Sequence, residues 1–215
     1  MKLKTIALAA AMCAAAPAFA DTVRIDDWVF SPGLPLTVAT PGYSGAAGEF
    51  KGVLNGNSFL TYCTDLSQTF NWNVTYTDYS VVSGVTAWGA TKSLDLDKAI
   101  SNVTSFGQPV NNVESAVIQA IVWEIIYEKP GNPYDFTSGT FTASSGNSSV
   151  QSALNGVNWG ALPGTPVTMH VDKLYSPDHQ DFLVMTSVPE PGTYALFAAG
   201  LAGIGFVARR RTRQA

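Results

Sequence analysis

Two cysteines, two histidines and few charges leave little material for most active sites. Cys13 and Cys63 are the only thiols, and no Cys-x-x-Cys or His-rich spacing exists to hold a zinc ion. Asp95 and Asp97 lack the loop of a calcium hand, and no glycine loop is built to cradle phosphate. No Gly-x-Ser-x-Gly elbow is present. His170 and His179, nine residues apart, read as solvated side chains. No cofactor, no metal and no turnover enzyme is expected. Charged residues make up 13% of the chain, and six of its twelve Lys and Arg lie at the extreme ends, so the body is acidic and a nucleic-acid partner is disfavoured. No apolar run reaches the roughly 20 residues of a comfortable bilayer span.

The ends are patterned instead. Lys2 and Lys4 precede an apolar run from Ile6 to Ala16 and then Ala18-Phe19-Ala20, the layout of an export signal peptide cut between Ala20 and Asp21. Cys13 leaves with it. Cys63 then stands alone in an oxidising compartment, where an intramolecular disulfide is impossible. At the other end, Val188-Pro189-Glu190-Pro191 precedes an apolar stretch, Tyr194 to Ala208, and the basic residues Arg209, Arg210, Arg211 and Arg213. As a helix this stretch reaches roughly 22 Å at about 1.5 Å per residue, against a bilayer core of ~30 Å. It inserts if the bilayer thins or the arginines snorkel. The tail at 188–215 resembles the PEP-CTERM sorting signal of Gram-negative, exopolysaccharide-producing bacteria. The resemblance implies an inner-membrane intermediate with a transmembrane helix over 194–208. It also implies an exosortase-type processing enzyme cutting near Pro189-Glu190-Pro191, and delivery to the cell surface or the extracellular space.

Between the ends lies one domain's worth of chain, 21–187, rich in Gly, Ser, Thr and Asn with enough aromatics for a core. Thr22 to Phe30 reads as a strand, and 31–48, rich in Pro and Gly, as a loop. Phe50 to Leu54 and Ser58 to Leu66 form a hairpin about Asn55-Gly56. In the second strand Phe59, Thr61, Cys63 and Asp65 alternate with Leu60, Tyr62, Thr64 and Leu66, which places Cys63 mid-strand. Tyr76 to Val82, Thr165 to Tyr175 and Asp181 to Ser187 read as further strands, and 137–149 as a surface loop or short hairpin. Leu94 to Phe106 is an amphipathic helix with Asp95 as its cap and Leu96, Ala99, Ile100 and Val103 inward. The expected class is α+β and mainly β, an antiparallel barrel or sandwich with a two-helix insert.

The second of those helices, Asn111 to Lys129, is the longest in the chain. Asn111 caps it, Glu114 sits at the capping-box position, and Pro130-Gly131 stops it. From Ala116 to Trp123 it is apolar on every face except at Gln119, and a helix apolar all round is buried all round. A buried amide must be bonded. It either holds the strand backbone or is joined to the one remaining thiol. Thr61-Tyr62-Cys63-Thr64-Asp65 and Ile118-Gln119-Ala120-Ile121-Val122-Trp123 together resemble the paired motifs of bacterial surface thioester domains. The resemblance implies that Cys63 supplies sulfur and Gln119 the acyl carbon of an internal cross-link. Tyr62, Asp65 and Trp123 would surround it, and an exopolysaccharide or surface protein would be the covalent partner. The alternative is a noncovalent matrix protein with no reactive bond, or glycan binding by Trp72, Trp88 or Trp159.

Overall fold

The computed structural model describes residues 20–105, 109–188 and 199–201. The signal segment before Ala20, Pro189, Glu190, Pro191, most of the expected 194–208 span and Arg209, Arg210, Arg211 and Arg213 lie outside the described residues.

The protein is mainly antiparallel β, built on a nearly closed, barrel-like sheet with a few helices. The sheet comprises β1 (Asp21–Trp28), β4 (Phe50–Leu54), β5 (Asn57–Thr61), β6 (Thr75–Val82), β8 (Met169–Tyr175) and β9 (Phe182–Ser187), in the order β5-β4-β1-β6-β8-β9. β1 starts at Asp21, the residue that cleavage after Ala20 would leave first. Asn55 and Gly56, both at positive φ (51° and 82°), make the turn that pairs β4 with β5, as the Asn-Gly signal requires.

The seam closes just past β5. Leu183 N–H donates to Tyr62 O at 3.0 Å and Thr64 N–H to Asp181 O at 2.9 Å, and Cys63 stands opposite Phe182 as an isolated bridge. Cys63 is therefore not mid-strand. β5 ends at Thr61 because its partner β4 begins at Phe50, opposite Thr61. Peptide groups alternate in direction along an extended chain. With Tyr62 O and Thr64 N–H turned to β9, the N–H and C=O of Cys63 face the other way, where no strand lies among the described residues.

The 31–48 segment is not a loop. It forms the hairpin β2 (Leu34–Thr40) and β3 (Tyr43–Ala47), which with β7 (Thr142–Ser144) makes a second sheet in the order β3-β2-β7. Its prolines and glycines hid a period-2 pattern in which Leu36 and Val38 are buried. Among the described residues the insert between β6 and β7 holds three helices rather than two: α1 (Gly84–Trp88), α2 (Ala90–Ser105) and α3 (Asn112–Tyr127). α4 (Ser148–Asn155), capped by Asn147, and a 3-10 turn at Trp159–Gly164 follow β7. Asp95 does not cap α2, which starts five residues earlier; it accepts a hydrogen bond from Tyr134 OH at 2.8 Å. Asp97 anchors the same helix to the sheet by accepting the Val171 N–H at 2.7 Å.

α3 is the keystone. Asn111 caps it by accepting from Glu114 N–H at 2.9 Å, and the Glu114 carboxylate reaches back to Val110 N–H at 2.9 Å. One side of α3 (Ala116, Ala120, Trp123) packs with Leu36, Val38, Phe50, Phe141 and Phe182. Another (Ile118, Val122, Ile125) packs with Tyr62, Leu96, Ile100, Val171 and Leu183. A helix wedged between two cores must be apolar nearly all round.

Candidate functional site

The bare backbone of Cys63 at the seam is met by Gln119. Cys63 N–H donates to Gln119 Oε1 at 2.9 Å, and Gln119 Nε2–H donates to Cys63 O at 2.8 Å. The carboxamide thus takes the place of the missing strand. Gln119 is 0% exposed and Cys63 7%. Burial pushes the Cys63 thiol well above its ordinary pKa, and the nearby Asp65 carboxylate adds to the shift. A thiol so placed is held protonated and is a poor nucleophile until its surroundings change.

Both side chains line one cavity of about 200 Å³. Its aromatic wall holds Trp28, Phe50, Phe70 and Trp72, whose rings pack at 4.3–5.6 Å. Trp72 is 42% exposed at the rim. Trp123, one turn after Gln119, lines the floor. It is 2% exposed, and its Nε1–H has no hydrogen-bond partner among the described residues. Tyr43 lies against it, with ring centroids 5.0 Å apart. Burial and the neighbouring Cys63 push the Tyr43 phenol up to about 12.

Asp65 holds the loop that frames this cavity. Its Oδ1 accepts from Ser67 N–H at 3.0 Å and Gln68 N–H at 2.7 Å. Its Oδ2 accepts from Gln180 Nε2 at 2.8 Å and Asp181 N–H at 2.7 Å. Tyr62 does not surround the Cys63–Gln119 pair. Successive side chains in an extended chain point to opposite faces, so Tyr62 enters the second core with Leu96, Ile118 and Val122. Its OH and Glu49 Oε2 are buried without hydrogen-bond partners among the described residues. Tyr43, Trp28 and Phe70 line the cavity in its place, contributed by a hairpin, the end of β1 and a loop whose approach no local spacing reveals.

The histidines are not free in solvent, because each lies beside carboxylates. His170 Nδ1 lies 3.1 Å from Asp97 and its Nε2 3.2 Å from Asp172, and the hydrogen bond with Asp97 raises its pKa. His179 Nδ1 lies 3.1 Å from Asp78 Oδ2, and Ser176 Oγ donates to that same oxygen at 2.5 Å. Ser, His and Asp meet here, but Ser176 Oγ accepts the N–H of both Asp178 and His179. The hydroxyl is spent on a turn. No group of three His, Cys, Asp or Glu able to hold a metal occurs among the described residues. Trp88 and Trp159 are half-buried, and Trp159 packs on Tyr134 and Phe136.

Residues 187–211 match the model of the PEP-CTERM protein-sorting motif. The match begins on the last residue of β9, and Val188 N–H still donates to Thr168 O at 2.9 Å. The chain thus carries the signal by which an exosortase processes exported proteins. No helix among the described residues is long and apolar enough to cross a membrane. No curated protein and no solved structure matches the chain.

Proposed function

We propose that this is an exported, exosortase-processed surface protein that attaches covalently to a partner through a thioester between Cys63 and Gln119. The sorting motif at 187–211 supports the route: an inner-membrane intermediate, then the cell surface or the extracellular space. The double hydrogen bond between the Gln119 carboxamide and the Cys63 backbone supports the chemistry, because it fixes the acyl carbon beside the residue that bears the sulfur.

In the forming step Cys63 Sγ attacks Gln119 Cδ, the C–N bond breaks, and ammonia leaves with the thiol proton. Oε1 already accepts the Cys63 N–H, so negative charge developing there meets a donor in place. In the transfer step an amine or hydroxyl of the partner attacks Cδ, the C–S bond breaks, and the nucleophile's proton ends on the Cys63 thiol. The acyl group is consumed once, so the protein is a covalent binder and not a turnover enzyme. An exopolysaccharide or a surface protein is the partner that the route would present. The test is the intact mass of the secreted protein: one ammonia below the sequence mass with the thioester, and the unmodified mass without it.

One observation favours a second reading, that of a noncovalent matrix protein. The Cys63 backbone satisfies both ends of the Gln119 amide, which by itself accounts for a buried glutamine. On that reading Cys63→Ala leaves attachment unchanged.

A further inference from the structure

A reactive Gln119 that is 0% exposed is useless to a macromolecular partner unless part of its cover moves. Besides the sheet residues Trp28 and Phe50 and the α3 residue Trp123, two segments cover the cavity. One is the 65–72 loop, and it is tied at nearly every residue. Asp65 is bonded as described above. Leu66 N–H donates to Tyr127 OH at 3.0 Å, and Gln68 Nε2 donates to Pro177 O at 3.0 Å. Gln180 N–H donates to Thr69 O at 3.2 Å, and Asn71 N–H donates to Tyr76 OH at 2.8 Å. The other segment is the β2–β3 hairpin, which contributes Tyr43, Ala46 and Ala47. Among the described residues the Tyr43 phenol has one hydrogen bond, donated to Ala46 O at 2.6 Å within its own hairpin. It is half-buried on β3, the edge strand of the three-stranded sheet.

Gly45 completes the picture. A Cβ on Gly45 would lie 2.6 Å from the Tyr43 hydroxyl oxygen and 2.8 Å from Cζ. Only a residue without a side chain leaves room for Tyr43 to fold down. The clash would fall on the free end of a side chain, not on backbone, so filling the space would push the ring out while sparing the hairpin.

We infer that Tyr43 is the gate of the Cys63–Gln119 cavity, and that Gly45 is the empty space into which the gate shuts. Closed, the ring lies on Trp123 and keeps water from the acyl centre. Rotated outward, it opens the hairpin side of the cavity and admits the partner's nucleophile. Its selective purpose rests on the covalent reading above, but the gate itself is measurable without it.

The experiment uses the full secreted protein and begins with its intact mass. If the thioester is present, the rate of methylamine addition at Gln119 is followed; if the thiol is free, the rate of iodoacetamide alkylation at Cys63 is followed. In either case Tyr43→Ala and Gly45→Ala are expected to accelerate the reaction by about ten-fold or more, as expected when local opening limits access. Tyr175→Ala, an exposed tyrosine on β8 that does not line the cavity, is expected to stay within about two-fold of wild type. Near-UV circular dichroism checks each fold, and Gly45→Ala stands in if Tyr43→Ala does not fold. Wild-type rates in both variants, or equal acceleration by Tyr175→Ala, overturn the gate. An unmodified mass in the wild type overturns the covalent reading alone, since the alkylation rates still judge Tyr43.

Discussion

Gln119 grips Cys63 by both poles of its peptide backbone, at 2.9 and 2.8 Å, and so takes the place of a strand at the seam of a nearly closed sheet. The same contact closes the fold and sets a carboxamide beside a lone thiol.

Gln119→Ala is expected to cost about 2–4 kcal/mol, because it strands a buried N–H and a buried C=O together. Chemical denaturation measures it. A loss below about 0.5 kcal/mol would mean that water or a shifted strand replaces the amide at no penalty.

Asp65→Ala removes the acceptor of four donors at one corner. The expected result is a loss of about 2–3 kcal/mol and faster amide exchange at Gln68 and Asp181, with slower sites in β1 and β4 affected less. Uniform acceleration across the sheet would contradict a local clamp.

Stability should fall as pH rises from about 5 to 8. Burial lifts the Glu49 carboxyl to about 7. Burial also lifts Glu124 to about 7, against the hydrogen bond from Asp135 N–H and with help from the charges of Glu128 and Asp135. Both groups bind more protons folded than unfolded between their ordinary value and about 7, so the folded state loses ground across that window. His170 acts in the same direction. Its raised pKa adds stability that is full below its unfolded value and is lost as pH rises through the folded one. Each carboxyl is worth roughly 1–3 kcal/mol by linkage. Melting temperatures across that range check the slope, and Glu49→Gln should flatten it.

Glu128 sets the acid limb. Burial opposes its charge, but N–H groups of Thr140, Phe141 and Lys129 and the side chain of Asn132 outweigh burial and bring it down to about 2. A depressed carboxyl adds stability that is present above its unfolded value and fades as pH falls toward about 2. Glu128→Gln is therefore expected to cost about 1–3 kcal/mol at neutral pH and little at pH ~2.

Replacing Pro189, Glu190 and Pro191 with alanine should trap the full-length protein in the membrane fraction, read by immunoblot of fractionated cells. Undiminished secretion of a shortened form would contradict processing at the 187–211 motif.

Much of this fold was legible from local rules. The Asn55-Gly56 hairpin, the Asn111 cap and the all-round apolar α3 follow from residue chemistry at short range. The β2–β3 hairpin was not, since Pro35, Pro41 and Gly42 read as breakers although Leu36 and Val38 alternate inward. Nor were the buried Glu124 and Glu128, whose partners at Asp135, Thr140 and Phe141 come from a loop beyond α3. Within the site, a buried amide on an apolar helix was visible, and so was a solitary cysteine. The end of β5 at Thr61 depends on where β4 begins, and Tyr43 reaches the cavity from a different sheet. Those are facts of assembly, with no local spacing to announce them.

The decisive measurement is the intact mass of freshly secreted protein under native and methylamine-treated conditions. The account predicts a species lighter than the processed sequence by one ammonia, converted by methylamine to the amide with release of one alkylatable thiol. A species at the full sequence mass, inert to methylamine and with Cys63 already alkylatable, would contradict it.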